Sequence, residues 1–335
     1  MPRDLDALTL AHCGRIPKVL FVGPYPPPHG GISVHVARAR AMLARAGVRC
    51  GVLNIEKGAP ASEAYIRVNG ALDFLKQLAR HARNDWTFHV HTNGHNPKSW
   101  LVALAGGLAA RLGAGGTLTL HSGLAPAYLE SGGPWRRTVA RLTCALYSRV
   151  VCVNEEIADS LLALGVSWRR LEISPAYLPP SHISSTLPPD IGAWLSTRHP
   201  VLSTILFYRP EYGFELVVEA VERLRRKHAR LGCLVIGGTE GRREAEALVR
   251  RHGLEEWMRL CGDVDHSLCI ALMSRSDVFV RATYSDGDSI SVREAVALGV
   301  PVVASNVGAR PPGVALFPAG DADALVERVE EVLGV

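Results

Sequence analysis

A short apolar strand, a loop and an amphipathic helix recur along this chain in two series, and that recurrence limits its fold more than any other feature. The first series predicts strands at Lys18–Gly23, Gly51–Ile55, Thr87–His91, Thr117–Leu120 and Val150–Val153. Helices alternate with them at Ile32–Arg45, Ala71–Arg83, Lys98–Leu112, Pro134–Ser148 and Ile157–Leu164. Between Pro175 and Pro200 the composition turns to proline, serine and histidine, with Leu-Pro-Pro twice and no sustained period, which marks a boundary. The second series has strands at Val201–Phe207, Gly232–Ile236, Met258–Cys261, Asp277–Val280 and Val302–Ala304. Its helices are Phe214–His228, Arg242–His252, Ser267–Met273, one opening near Ser289, and Ala322–Leu333. Such winding specifies open parallel sheets. The 335 residues suit two domains of roughly 100–200 residues each: residues 1–178, a linker at 179–200, and residues 201–335.

The most informative single segment runs from Asp286-Gly-Asp-Ser-Ile-Ser-Val-Arg-Glu294 into Ala-Val-Ala-Leu-Gly299-Val-Pro301-Val-Val-Ala304. Asp-Gly-Asp closes the strand before it. Ser289 or Asp288 caps a short helix, Val292, Ala295, Val296 and Leu298 give its buried stripe, and Gly299 with Pro301 ends it. In an open parallel sheet this places the turn at the carboxyl edge, where ligands bind and where free N–H groups favour an anion. A phosphate-bearing ligand fits there, with acids on either side to hold hydroxyl groups. In the first series, Gly30 and Gly31 follow a proline run and open a helix, so backbone can approach a ligand and the helix start attracts phosphate. Their spacing is not that of a dinucleotide fingerprint.

The pattern of acid, seven residues, Glu, then small-apolar-Gly-x-Pro-Val-Val-Ala resembles the signature of retaining GT-B glycosyltransferases of the family 4 type. The resemblance implies two Rossmann-like domains facing a central cleft. The first domain would take the acceptor and the second the nucleotide sugar. It implies that Asp286 contacts hydroxyls of the donor sugar and Glu294 the ribose. Asp288, Ser289 and Ile290 line the diphosphate with Gly30 and Gly31, and His121, after the strand Thr-Leu-Thr-Leu, bonds the sugar near the reaction centre. Val235-Ile-Gly-Gly238-Thr and Leu260-Cys-Gly-Asp-Val264 resemble the family's strand ends, the latter framing the base. The chain departs from the pattern in two places. Phe207 and Tyr212 stand where an Arg and a Lys neutralise the leaving diphosphate, so that Arg209, or Arg281 and Arg293, would supply the charge. Beyond Ser305, Val307-Gly-Ala-Arg310-Pro-Pro-Gly replaces a Gly-Gly-x-Pro-Glu loop, and the short terminal helix implies no crossover onto the first domain.

The expected activity is transfer of a sugar from a nucleoside-diphosphate donor to a hydroxyl acceptor, with no metal and no cofactor. Cell-surface polysaccharide, glycolipid or glycoside synthesis would use it. A non-catalytic nucleotide-sugar-binding protein and a nucleotide-sugar epimerase are the alternatives. The epimerase would need further acids and bases beside the anomeric carbon, and a phosphorylase a lysine for its cofactor. Neither is evident.

Composition bounds the partners. A net charge of +5 suits an anionic substrate or surface, is too modest for nucleic acid, and no nucleic-acid motif accompanies it. Pro134-Trp-Arg-Arg137, with Arg141 and Arg149, makes a basic helix whose other face, Val139, Leu142, Ala145 and Leu146, packs on the sheet or lies on anionic headgroups presenting a lipid-linked acceptor. No apolar run reaches the ~18 residues of a membrane span, Leu101–Leu112 being broken by a glycine pair. The charged opening residues read as no signal peptide, so the expected place is the cytoplasm, peripheral at the inner membrane face. Cys13, Cys50, Cys144, Cys152, Cys233, Cys261 and Cys269 form no CxxC pair and read as reduced core residues. His89, His91 and His95 cluster near a strand end, but only the first two alternate on one face. They read as a cleft lining or loop surface rather than a metal site.

Overall fold

The computed structural model describes residues 17–179 and 184–334; Cys13 and residues 180–183 of the expected linker lie outside them. The chain divides into two compact units, Met1–Leu178 and Pro179–Val335.

The first unit runs β1 (Lys18–Gly23), α1 (Gly31–Arg45), β2 (Arg49–Asn54), β3 (Ile66–Arg67), α2 (Ala71–Ala82), β4 (Thr87–Thr92), α3 (Pro97–Leu112), β5 (Gly116–Leu120), α4 (Ala125–Glu130), α5 (Pro134–Ala145), β6 (Arg149–Cys152), α6 (Glu155–Ala163) and β7 (Leu171–Ile173). Its seven strands form one sheet in the order β3-β2-β1-β4-β5-β6-β7, every pair parallel. Val19, Leu20, Phe21 and Val22 are fully buried, as a central strand covered on both faces requires. The glycine pair that interrupts the apolar run of α3 seats that helix. A Cβ on Gly106 would lie 2.7 Å from Val90, and one on Gly107 2.8 Å from Leu146. Phe88 and Val90 therefore face α3. His89 and His91 point to the opposite face, toward α1.

The second unit runs α7 (Pro189–Ser196), β8 (Val201–Ile205), α8 (Phe214–Leu224), β9 (Gly232–Ile236), α9 (Arg242–Arg251), β10 (Met258–Gly262), α10 (His266–Met273), β11 (Val278–Arg281), α11 (Ile290–Ala297), β12 (Val302–Ser305), β13 (Ala315–Phe317) and α12 (Ala322–Leu333). Its sheet has the order β10-β9-β8-β11-β12-β13, again parallel throughout. Each sheet reverses its winding once, between β1 and β4 in the first and between β8 and β11 in the second. In doubly wound sheets the carboxyl ends of such neighbours form the ligand crevice.

Part of the expected linker is a helix. Pro189 starts α7 with its preset φ, and Ile191, Trp194 and Leu195 pack with Val201, Leu234, Ile236 and Leu272. The C-terminal α12 packs on the second unit's own core through Leu325 and Val329, and Lys227 Nζ meets Glu330 at 2.6 Å. In α11 the buried side is Ile290, Ser291, Val292, Glu294 and Ala295, while Val296, expected inside, is exposed. The last turn of the helix meets the core through Ala295, and Leu298 packs beside it, while Val296 lies on the opposite side. Gly299, at φ 73°, ends it.

Candidate functional site

Two loops leave the β8–β11 reversal, residues 206–213 and 282–289, and their backbones are locked together. Tyr284 N–H donates to Glu211 O at 2.9 Å. Gly213 has a φ of 66°, and a Cβ there would lie 2.0 Å from Ala282 O, so only glycine fits. Against this frame Asp286 accepts from Arg281 Nε at 2.9 Å and Nη2 at 3.3 Å, from Arg310 Nη1 at 3.1 Å, and from Thr283 Oγ1 at 3.3 Å. Burial alone would raise its pKa; the charges of Arg281 and Arg310 outweigh that and hold the carboxyl below its usual range.

Arg310 comes from the loop after β12, which is pinned beneath the turn. Ala309 N–H donates to Gly287 O at 2.8 Å, and a Cβ on Gly308 (φ 67°) would lie 2.4 Å from Asp286 O. Arg310 Nε donates to Ser305 O at 3.1 Å and Nη2 to Thr283 Oγ1 at 3.2 Å. Asp288, also buried, is held by Arg293 Nε at 2.5 Å. Ser289 caps α11, and the first intrahelical bond there runs from Arg293 N–H to Ser289 O. The N–H groups of Ile290 and Ser291 have no intrahelical acceptor, which suits an anion. One turn further, buried Glu294 meets His266 Nε2 at 2.8 Å across from the start of α10.

Gly238 and Val264 lie on the neighbouring loops after β9 and β10, joined by Gly237 N–H to Gly262 O at 2.8 Å. Gly238, at φ 64°, leaves room for Tyr208, whose ring a Cβ would approach to 3.0 Å. Val264 packs against the core of this unit. Arg209 stands apart from the acids, 3.5 Å from exposed Glu240 and over the Phe207 ring. The cation beside Tyr212 is instead Arg281, whose guanidinium lies 5.1 Å from the centre of that ring.

In the first unit Gly30 is the N-cap of α1 and Gly31 its first residue, with Gly30 N–H donating to Ser33 Oγ at 2.9 Å. His121 follows β5, its Nε2 3.0 Å from His91 Nδ1. These two rings, with His89 and His35, form one cluster in which His89 and His91 are 4.2 Å apart. His35 Nδ1 lies 2.6 Å from Ala176 O and His89 Nε2 3.0 Å from Thr119 Oγ1, while His91 Nε2 is buried without a partner. Burial lowers the pKa of His35 to about 4 and of His89 to about 3, and pushes His91 and His121 well below the ordinary value. All four are neutral at pH 7. His95 turns away, to Ser122 Oγ at 2.8 Å. Among the described residues no group of three or more His, Cys, Asp or Glu is placed to hold a metal ion.

The structure thus brings Asp286, Asp288, Ser289, Ile290 and Glu294 into one turn and helix start, with Gly238 and Val264 on adjoining loops of the same unit. Arg310, His266 and His35 were invisible as partners, since no local pattern ties them to residues 24, 28 or 56 positions away. The basic helix also differs from expectation. α5 buries Ala140, Thr143 and Cys144, and Leu142 faces solvent. The small residues let the helix end close on Gly107 of α3.

A doubly wound parallel sheet in each of two units, with acids and a free helix start at the reversal of the second, defines a GT-B architecture. Sequence families agree: Glycosyltransferase Family 4 matches residues 29–176, and Glycosyl transferases group 1 matches residues 200–334. The chain belongs to the GT-B-fold glycosyltransferases related to family 4. It is 26% identical over 250 residues to D-inositol 3-phosphate glycosyltransferase of Xylanimonas cellulosilytica, a match covering 68% of this chain and 58% of that protein. The chain thus spans under two thirds of that curated relative. Among solved structures, sucrose-phosphate synthase from Thermosynechococcus elongatus superposes with a TM-score of 0.74 at 20% identity, covering 96% of this chain and 90% of the other. Anabaena HepE in complex with UDP and glucose gives 0.71 at 16%, covering 94% and 89%. At these identities the likeness is one of fold.

Proposed function

We propose that this protein is a retaining glycosyltransferase that moves a sugar from a nucleoside-diphosphate donor to a hydroxyl acceptor. The observation that carries this reading is the turn from Asp286 to Glu294 at the β8–β11 reversal, where buried acids flank the open N–H groups of Ile290 and Ser291. Family membership and the fold shared with a UDP-binding protein support it.

In this reading Glu294, oriented by His266, accepts from the ribose hydroxyls. The diphosphate lies on the start of α11; in the first unit the start of α1 at Gly30 and Gly31 is itself suited to an anion. Gly238 and Val264 border the base and Asp286 borders the sugar; in the first unit, a neutral His121 can accept or donate a hydrogen bond without competing for charge. As the glycosidic bond to the diphosphate breaks, negative charge grows on the leaving oxygen, and backbone N–H groups with Arg281 stabilise it. The acceptor attacks from the same face and passes its proton to that oxygen, so no protein base is required. The acid roles belong to residues 286 and 294, and Arg209 would serve only by leaving Glu240.

The acceptor in this proposal is lipid-linked, and the first unit rests on anionic lipid. On α3 the solvent side carries Leu101, Leu108 and Leu112, with exposures of 64%, 52% and 80%, and beside it α5 exposes Trp135 and Leu142. Lys98, Arg111, Arg136, Arg137 and Arg141 lie on the same two helices, which hold no carboxylate. Apolar side chains at this exposure with cations around them suit a headgroup layer. No helix among the described residues is long and apolar enough to cross a membrane.

Thermal unfolding in the presence of UDP, GDP and ADP tests the reading. One of them should raise the midpoint, a ligand at a hundred times its Kd contributing about 2.7 kcal/mol. Absence of any shift at millimolar concentration would refute it. Tyr212 in place of a lysine favours a second reading, binding without transfer, which predicts the same shift but no turnover of any donor.

A further inference from the structure

In the second unit, the site of the first acid holds more cation than anion. Arg281 and Arg310, both buried, share the single carboxylate of Asp286, and the third nearby guanidinium, Arg293, is engaged by Asp288. At Asp286 itself, two guanidiniums thus share one carboxylate in direct contact. Burial and the neighbouring Arg281 charge depress the pKa of Arg310, an effect that the Asp286 and Asp288 charges only partly offset.

Donor capacity is unbalanced in the same direction. Asp286 Oδ2 already accepts from Arg281, Arg310 and Thr283, so that oxygen has nothing left for a ligand hydroxyl. Arg310 makes one bond through each of its three nitrogens, to Ser305 O, Asp286 and Thr283. Each of its terminal nitrogens therefore keeps a second N–H. A pocket built to recognise neutral sugar hydroxyls through a free acid would offer acceptors. Here one carboxylate oxygen, Oδ1 with a single 3.3 Å bond, stands beside a larger number of donors and positive charges.

The fold shows why the surplus is built in. Arg310 is carried by a loop whose backbone is fixed to the turn at Ala309–Gly287 and whose Gly308 admits no side chain. Arg281 is anchored by Ile205 O at 2.7 Å and by the face of Tyr212. Neither guanidinium can swing to solvent without breaking several bonds, so the charge is preorganised where it stands.

We propose that the donor sugar carries a carboxylate, as a hexuronic acid does, and that Arg310 with Arg281 selects for it. This rests on the reading above, in which Asp286 borders the donor sugar. A carboxylate would take the remaining N–H groups of Arg310, completing a charge-balanced cluster, and the planar fork of a guanidinium matches its two oxygens. A neutral hexose leaves the positive charge buried and uncompensated.

Calorimetric titration of the whole chain separates the two readings. UDP, UDP-glucose and UDP-glucuronate form one set, and GDP, GDP-mannose and GDP-mannuronate another. In the set whose bare nucleotide binds, the acidic sugar should bind at least tenfold tighter than its neutral partner. Arg310→Gln should erase that preference while leaving affinity for the bare nucleotide within about twofold, and Arg310→Lys should restore part of it. Equal or tighter binding of the neutral sugar overturns the acidic-donor proposal and leaves the transferase reading intact. If no nucleotide in either set binds and ADP does not raise the unfolding midpoint, the donor reading itself falls and this proposal with it. The comparison of sugars needs only the native chain, so poor folding of a variant does not spoil it.

Discussion

Replacing Asp286 by alanine removes the one carboxylate that Arg281 and Arg310 share, so the effect on folding should be as large as any effect on activity. Leaving buried cations without a partner costs about 3–5 kcal/mol. Urea unfolding of Asp286→Ala should show such a loss, and an unchanged midpoint would mean that the arginines find solvent instead. Any loss of transfer in this variant must then be compared at matched folded fraction. Glu294→Gln keeps the shape of the side chain and removes only its charge. Affinity for the nucleoside diphosphate that binds should fall by about tenfold or more, as expected for a charge-assisted bond to the ribose, and titration calorimetry measures it. The two acids were legible because a turn and a helix start fix their separation along the chain. Arg310 was read only as part of a departing loop. Its place on Asp286 depends on β12 lying beside β11, a tertiary fact with no local signature.

The elements that carry the histidines and the basic helices make separate demands. His35 on α1, His89 and His91 on β4 and His121 after β5 are buried and neutral, whereas each would titrate near 6.5 in an unfolded chain. The unfolded state therefore binds more protons as pH falls below about 6.5, and stability drops with it; above that pH their contribution is complete. His35 and His89 alone should cost roughly 4 kcal/mol between pH 7 and pH 5. Urea midpoints at the two pH values check this, and a flat response would show that the cluster accepts protons while folded. On α3 the solvent-side leucines are half or more exposed, so Leu108→Glu with Leu112→Glu should change the unfolding free energy by no more than about 0.5 kcal/mol. The same pair should abolish flotation with vesicles rich in phosphatidylglycerol; retained flotation would place the membrane contact elsewhere. The helix itself was plain from its apolar run and its polar start, where Asn96 caps it and Ser99 completes the cap. Which of its sides meets the sheet was not, because leucines occupy both, and only the glycine pair marks the close approach. α7 was hidden by its prolines, which signal a break in sequence but start a helix here.

Across the whole molecule, what sequence made visible is what burial writes into it. Central parallel strands are apolar on both faces, and all nine of them stood out, with the five-residue edge strand β10; β3, β7 and β13, each of two or three residues at a sheet edge, carry too few buried side chains to be seen. Strand order is not written in any local run, yet it decides function, because it sets which loops share a crevice. In the second sheet it joins the loops after β8 and β11, which lie about 75 residues apart in sequence and share no motif. A nucleotide bound there should slow amide exchange at residues 262–266 and 283–294 together, since a ligand that spans both must be released before either opens. Exchange measured with and without the nucleotide that raises the unfolding midpoint tests this. Protection of 283–294 alone would put the base away from Val264, and protection of neither segment would remove the second unit as the nucleotide's seat. Because the Gly213–Ala282 and Gly308–Asp286 approaches already fix these loops, little should change elsewhere in that unit. The ligand would meet a crevice formed before it arrives, and its affinity would reflect contacts rather than the cost of ordering the loops.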